Sequence, residues 1–204
     1  VTHPRLYLIS PASFEPAIFA DALGAALDVG GVACVRLEMT APEDTIRRAA
    51  DALRAVCAAR DVALVIAEHV RLVAAHGLDG VHLRDGGPGA VRKAREALGA
   101  ERIVGAYGAA SRHRAMNAAE AGADYVALGP VRAGGLGDGA EADAGLFAWW
   151  AELIETPCVA EGGLTPAIAA ALRDSADFFA PRTTVWEHPD GPAAGVRAYL
   201  AALG

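Results

Sequence analysis

Residues 157–166 read PCVAEGGLTP, and residues 122–130 read GADYVALGP. Each is a short run of small and apolar residues that ends in glycine, the pattern of a strand buried on both faces. Gly162 and Gly163 let the main chain approach a bound group closely. Thr165 and Pro166 then supply a helix N-cap and a first helical position. Strand, glycine turn and helix start together present unpaired N–H groups, which suit an anion such as phosphate. A tight turn with no ligand is the other reading of the same residues.

The alternation continues in both directions. Apolar runs begin at Leu6, Ala33, Ala63, Gly80, Arg102, Asp124, Pro157 and Ala176. Between them lie segments rich in Ala, Leu, Arg and Glu with helical spacing, among them 42–59, 89–98, 111–121 and 143–154. Thr40 to Glu43 reads as a capping box opening the second helix. Gly30, Gly77, Gly99 and Gly122 fall where helices should stop. Eight strand–helix units in 204 residues predict a compact (β/α)8 TIM barrel, one domain over 1–204. An open doubly wound sheet is the competing arrangement, but it calls for Gly-x-Gly-x-x-Gly after the first strand. This chain has Ser10-Pro11-Ala12-Ser13 there. The segment 132–143, RAGGLGDGAEAD, is too long for an ordinary βα turn and reads as a mobile lid or binding loop.

Bulk properties narrow the partners. Hydrophobic residues make up 53% of the chain, enough for a sizeable core and too many for disorder. Charged residues interrupt every apolar stretch before it reaches membrane-spanning length, so no membrane partner is expected. The segment VTHPRLYLIS lacks the pattern of a signal peptide, which predicts a cytoplasmic protein. Net charge is −7 with no basic stripe, so nucleic acid is not an expected partner. Lys93 is the single lysine, so side-chain phosphate contacts fall to arginine. Cys34, Cys57 and Cys158 have no metal-ligand spacing and read as small core residues in a reducing compartment. Nothing in the sequence specifies a homo-oligomer or excludes one.

In such a barrel, chemistry gathers at the C-terminal ends of the strands. The candidates are then Arg36, Glu38, Glu68, His69, Arg84, Asp85, Tyr107, Arg132, Glu161, Arg182, Thr183 and Thr184. Arg36 and Glu38 lie two apart on one strand and share a face, as an ion pair or as catalytic groups. Glu68 and Asp85 end neighbouring strands. They suit a magnesium ion or a general acid and base, unless Arg84 and Arg36 simply neutralise them. Arg182 beside two hydroxyls suits a phosphate or a surface salt bridge. His82, within a strand, reads as a core histidine, and one at least of Trp149 and Trp150 as a packing residue.

The motifs LYLIS, DGVHL at 79–83, IVGAY at 103–107, GADYVALGPV at 122–131 and PCVAEGGLTP resemble, over nearly the whole length, the thiamine phosphate synthase superfamily, which also contains the thiazole tautomerases. The resemblance implies a phosphate-binding barrel. Its synthases join a pyrimidine methyl diphosphate to a thiazole phosphate, release diphosphate and use magnesium, with no organic cofactor. It implies a small phosphorylated heterocycle as ligand and a phosphate cradle at Gly129, Gly162, Gly163, Thr183 and Thr184, which Arg182 would join through its place beside the two hydroxyls. Arg84, Tyr107, Arg132 and Glu161, at strand ends, would line the substrate pocket. The catalytic positions depart from the pattern. The second strand normally ends Gln-Leu-Arg-Glu-Lys and here reads Arg36-Leu37-Glu38-Met39-Thr40. The family's Asn-Asp-Arg is Ala67-Glu68-His69, so Glu68 stands at a magnesium carboxylate. The Gly-Gln-x-Asp after His82-Leu83 becomes Arg84-Asp85-Gly86-Gly87. A serine is Tyr107, the Thr-x-Thr-Lys loop gives way to the glycine-rich segment, and the tautomerase histidine is Pro130. Glu161 replaces an apolar residue, which predicts a pairing with Arg132 or Arg182, or a ligand other than the usual phosphate. Catalysis then falls to Arg36, Glu38, Glu68 and Asp85, with metal at Glu68 and Asp85. A binding-only or regulatory barrel, and a barrel with carboxylate chemistry on another substrate, are the alternatives.

Overall fold

A computed structural model describes residues 5–132 and 140–204. Eight parallel strands close into a barrel in sequence order: β1 (Arg5–Ile9), β2 (Val32–Leu37), β3 (Ala63–Ala67), β4 (Gly80–Leu83), β5 (Ile103–Tyr107), β6 (Tyr125–Leu128), β7 (Cys158–Glu161) and β8 (Phe178–Ala180). The helices among the described residues are α1 (Pro16–Leu27), α2 (Glu43–Ala58), α3 (Val70–Ala75), α4 (Pro88–Leu98), α5 (Arg112–Glu120), α6 (Ala144–Leu153), α7 (Pro166–Leu172), α8 (Thr183–Trp186) and α9 (Pro192–Leu203). The (β/α)8 barrel read from the sequence is therefore the fold, with one short extra helix, α8, ahead of the last long one. None of the described helices is long and apolar enough to cross a membrane.

Strand alternation divides the core in two. Leu6, Leu8, Val35, Leu37, Leu64 and Ile66 face outward, in one cluster with helix residues such as Leu23, Leu53 and Val73. Tyr7, Ile9, Cys34, Val65, Tyr125, Ala127, Val159 and Ala180 form a separate cluster inside the barrel. All three cysteines are buried and free, as read. Trp150 is a packing residue, 1% exposed, with its indole N–H donating to the Thr156 carbonyl.

Local signals mostly operate as the sequence suggests. Thr165 caps α7 by accepting from the Ile168 amide, with Pro166 first in the helix. Gly30, Gly77, Gly99 and Gly122 all take positive φ. The capping box at Thr40 does not form. Pro42 is the N-cap of α2 and makes no side-chain cap bond, so Glu43 is the first helical residue, too early to reach back. Its carboxylate pairs instead with Arg47 one turn on, while the Thr40 amide donates to the Ala12 carbonyl across the mouth.

One glycine decides how the barrel interior fills. A Cβ at position 105 would fall inside the Tyr125 ring. Gly105 on β5 thus makes room for Tyr125 of β6, whose ring meets the Tyr7 ring edge-on with centroids 5.5 Å apart. Gly105→Ala should lower the unfolding free energy in urea by about 2 kcal/mol or more through overpacking. An unchanged midpoint would contradict this packing.

Candidate active site

The C-terminal ends of the strands surround a cavity of about 540 Å³. Its floor is a charged cluster. Arg36 on β2 points inward and is 2% exposed. Its Nε lies 2.8 Å from Glu38 Oε2 and its Nη2 lies 2.8 Å from Glu161 Oε2. Glu161, the last residue of β7, is also 2% exposed, and Glu38 is 8% exposed. The contacts are ion pairs without hydrogen-bond alignment: Arg36 Nε and Nη1, Glu38 Oε2 and Glu161 Oε2 are enclosed and lack hydrogen-bond partners. Glu161 therefore pairs with Arg36, not with Arg132 or Arg182. Strand alternation puts Arg36 and Glu161 on the inner face, and the barrel brings β2 within reach of β7 across its interior.

Burial raises the Glu161 carboxyl above its ordinary value, and Arg36 only partly offsets this. Burial also works against the Arg36 charge, but the Glu161 and Glu38 carboxylates outweigh it and hold the guanidinium firmly protonated.

The rim is cationic. Arg84, Arg114 and Arg182 line the same cavity as the floor cluster. Arg182 is N-cap of α8. Its Nε donates to the Ser10 carbonyl, and its Nη1 lies 3.9 Å from Glu38 Oε1. Arg84 Nη2 is 3.5 Å from the same oxygen. Both are far more exposed than Arg36, with side-chain exposures of 31% and 54%. Arg114 is exposed on the first turn of α5. Tyr107 closes one side, its hydroxyl donating to the Gly129 carbonyl. Ala12, Thr40, His82 and Arg114 also line the cavity, four residues that the strand-end pattern does not point to. Ala12, Thr40 and Arg114 lie beyond the strand ends, where a strand-by-strand reading does not look. His82 could have been found from the period-2 alternation of β4.

Other candidates take different places. Glu68 is exposed with φ of 66°, and its carboxylate accepts from the Arg84 amide. Asp85 is exposed and accepts from the Gly87 amide. Neither is neutralised by Arg36, which serves Glu38 and Glu161. Among the described residues, no group of three or more His, Cys, Asp or Glu could hold a metal ion. Each of the two carboxylates keeps one oxygen without a hydrogen-bond partner among the described residues.

Gly162 and Gly163 take φ of 81° and 77°. No described acceptor is recorded for the amides of Gly163, Thr183 or Thr184, while the pairing of Glu161 with Ala180 turns the Gly162 amide toward β8. The Thr184 hydroxyl is held by the Tyr199 hydroxyl at 2.7 Å, so its part in a phosphate cradle reduces to its amide. Gly129 serves packing, since a Cβ there would strike the Glu161 main chain. Arg132 is exposed and stacks its backbone on Gly162 through an amide-to-carbonyl bond of 3.1 Å. The body of the glycine-rich loop, 133–139, lies outside the described residues.

Fold and mouth define the class: a (β/α)8 barrel with a carboxylate-bearing floor beneath an arginine rim. A family model described as thiamine monophosphate synthase matches residues 6–183. A thiamine-phosphate synthase of Rhodospirillum centenum is 46% identical over 200 residues, 96% of each chain. Another, of Erythrobacter litoralis, is 39% identical over 191 residues, 89% of this chain and 88% of that one. The thiamine phosphate pyrophosphorylase of Pyrococcus furiosus shares the fold with a TM-score of 0.82 at 24% identity, over 98% of this chain and 95% of that one. The chain belongs to the thiamine monophosphate synthase family.

Removing the buried cation should be costly. Arg36→Met leaves two enclosed carboxylates facing one another and should destabilise the fold by about 3–5 kcal/mol at neutral pH. The loss should shrink in acid. A carboxyl whose folded pKa lies above its ordinary 4.5 contributes stability that is full below that value and disappears as pH rises through the folded pKa. Without Arg36 the Glu161 pKa rises further, so urea unfolding at pH 5 should show a smaller deficit than at pH 7. Equal deficits at both pH values would contradict this.

Proposed function

We propose that this chain is a thiamine phosphate synthase, joining a pyrimidine methyl diphosphate to a thiazole phosphate with release of diphosphate, in a mouth rebuilt around Arg36. The observation that supports the reading is the charge gradient of the cavity. Glu38 and Glu161 lie buried at the floor, half-neutralised by Arg36, while Arg84, Arg114 and Arg182 stand at the rim. In the proposed step the C–O bond between the pyrimidine methylene and diphosphate breaks, and the electron pair leaves with the diphosphate. The thiazole nitrogen then uses its lone pair to form the C–N bond. Positive character develops at the methylene and negative charge on the leaving group. A cavity anionic at depth and cationic at the rim opposes neither, and fixed charges stabilise both ends without reorganising. The rim arginines bind phosphate oxygens in bidentate fashion. The amides of Gly163, Thr183 and Thr184 suit the phosphate of the second substrate.

Magnesium belongs to this reading through Glu68 and Asp85. A magnesium ion commonly takes one or two protein carboxylates and completes its shell with water and substrate phosphate. The unengaged oxygens of these two side chains would supply the protein part of such a shell. When bound, the ion would neutralise charge on the departing diphosphate.

Incubation with both precursors and magnesium should yield thiamine phosphate and diphosphate in equal amounts. Arg84→Ala should lower kcat/KM by roughly 10²-fold with the thermal midpoint unchanged. Thermal stabilisation by thiazole phosphate with no turnover would overturn the reading in favour of a binding-only barrel.

A further inference from the structure

Beneath the charged floor lies a chain of three buried polar side chains. The Tyr7 and Tyr125 hydroxyl oxygens are 2.6 Å apart, and the Tyr125 oxygen is 2.9 Å from His82 Nδ1. Tyr7 is 2% exposed, Tyr125 7% and His82 1%. His82 lines the cavity, and its Nε2 has no protein partner among the described residues.

The protons in this chain can run in two directions. In one, Tyr7 donates to Tyr125 and Tyr125 donates to Nδ1 of His82. Every hydroxyl proton then has an acceptor, and the imidazole proton resides on Nε2. In the other, Nδ1–H donates to Tyr125 and Tyr125 donates to Tyr7. The Tyr7 proton is then stranded, because Tyr125 is its only hydrogen-bond partner among the described residues. The Arg36 guanidinium, 5.7 Å from the centre of the Tyr7 ring, carries donors only. The Cys34 thiol is turned to the Val35 carbonyl. A buried donor without an acceptor bears the full cost of its desolvation, whereas a spare lone pair on an oxygen is better tolerated. The first direction is therefore the stable one.

We propose that His82 is held as its Nε2–H tautomer by a hydroxyl relay from Tyr7 through Tyr125, and that it meets the ligand in the mouth as a fixed hydrogen-bond donor. The ligand atom it fits is an acceptor: a ring nitrogen, a carbonyl or a phosphate oxygen. In this state His82 cannot take a proton on its cavity side, so it serves neither as general base nor as a carrier of charge. Burial, followed by the fields of Arg36 and Arg84, keeps the imidazole neutral and agrees with this role. Tyr7 and Tyr125 are positioning residues acting through His82. The inference concerns the cavity itself and does not depend on which substrates enter it.

Nitrogen-15 NMR of histidine-labelled wild-type protein at neutral pH tests it directly. The chain has six histidines. The His82 signals are those lost in His82→Gln, or, if that variant does not fold, those that move in Tyr125→Phe. The expected spectrum has an unprotonated, hydrogen-bond-accepting Nδ1 and a protonated Nε2. Tyr125→Phe should move the Nδ1 resonance toward the position of a free ring nitrogen. A proton on Nδ1, in the other neutral tautomer or in an imidazolium, would overturn the proposal. So would a Tyr125→Phe spectrum in which no histidine nitrogen moves.

Discussion

The Arg36 guanidinium sits between two carboxylates that the chain has removed from water, and the rest of the mouth is arranged around that contact. Glu38 is two residues away on the same side of the chain, while Glu161 comes from a strand across the barrel. Two enclosed carboxylates with no cation would repel each other and carry two desolvation penalties. One guanidinium with no carboxylate would be equally unfavourable. Each charge is admitted to the interior by the others. Burial raises the Glu161 pKa and Arg36 offsets this only in part, while Glu38 also has Arg84 and Arg182 at 3.5 and 3.9 Å. The remaining positive charge stands above the floor, on Arg84, Arg114 and Arg182. Arg182 joins the two levels, reaching the Ser10 carbonyl with its Nε and the Glu38 carboxylate with its Nη1.

This floor rests on the barrel interior. Arg36 lies over the Tyr7 ring, Tyr7 meets Tyr125 through ring and hydroxyl, and Tyr125 occupies the space left by Gly105. The layer is unusual in being polar at its centre and apolar at its edges, where Val65, Ala127 and Val159 pack. Buried polar groups of this kind are stable only when each proton finds an acceptor. That condition couples Tyr7 and Tyr125 to His82, and thus gives a residue with no ligand contact of its own a say in what the cavity presents.

Much of the architecture was legible because a parallel barrel writes its strands as unbroken apolar runs closed by glycine. PCVA, DYVAL and GVHL are strands where the sequence places them. The period of two also puts Arg36 and Glu38 on one face, and only the closed barrel makes that face the inner one. What could not be read is contact between distant strands. Nothing in the residues around Glu161 names Arg36, since the two meet only after the sheet closes, and nearer arginines in sequence were the natural partners. Thr40–Glu43 matched a capping box in letters, but Pro42 shifted the helix start by enough to defeat it. Thr184 looked like a phosphate ligand, and its hydroxyl is spent on packing α8 against Tyr199 of α9. Tyr7 and Tyr125 carry no signal of their own in the sequence, because a tyrosine in an apolar strand resembles any other core residue until its hydroxyl partner is known.

Arg36 and Glu161 stabilise the mouth only as a pair. A double-mutant cycle in urea unfolding with Arg36→Met, Glu161→Leu and the combined variant measures this directly. The combined variant should be more stable than Arg36→Met alone, with a coupling energy of about 2–3 kcal/mol, because removing the second charge relieves the first. Losses that simply add, with no coupling between the two positions, would contradict it.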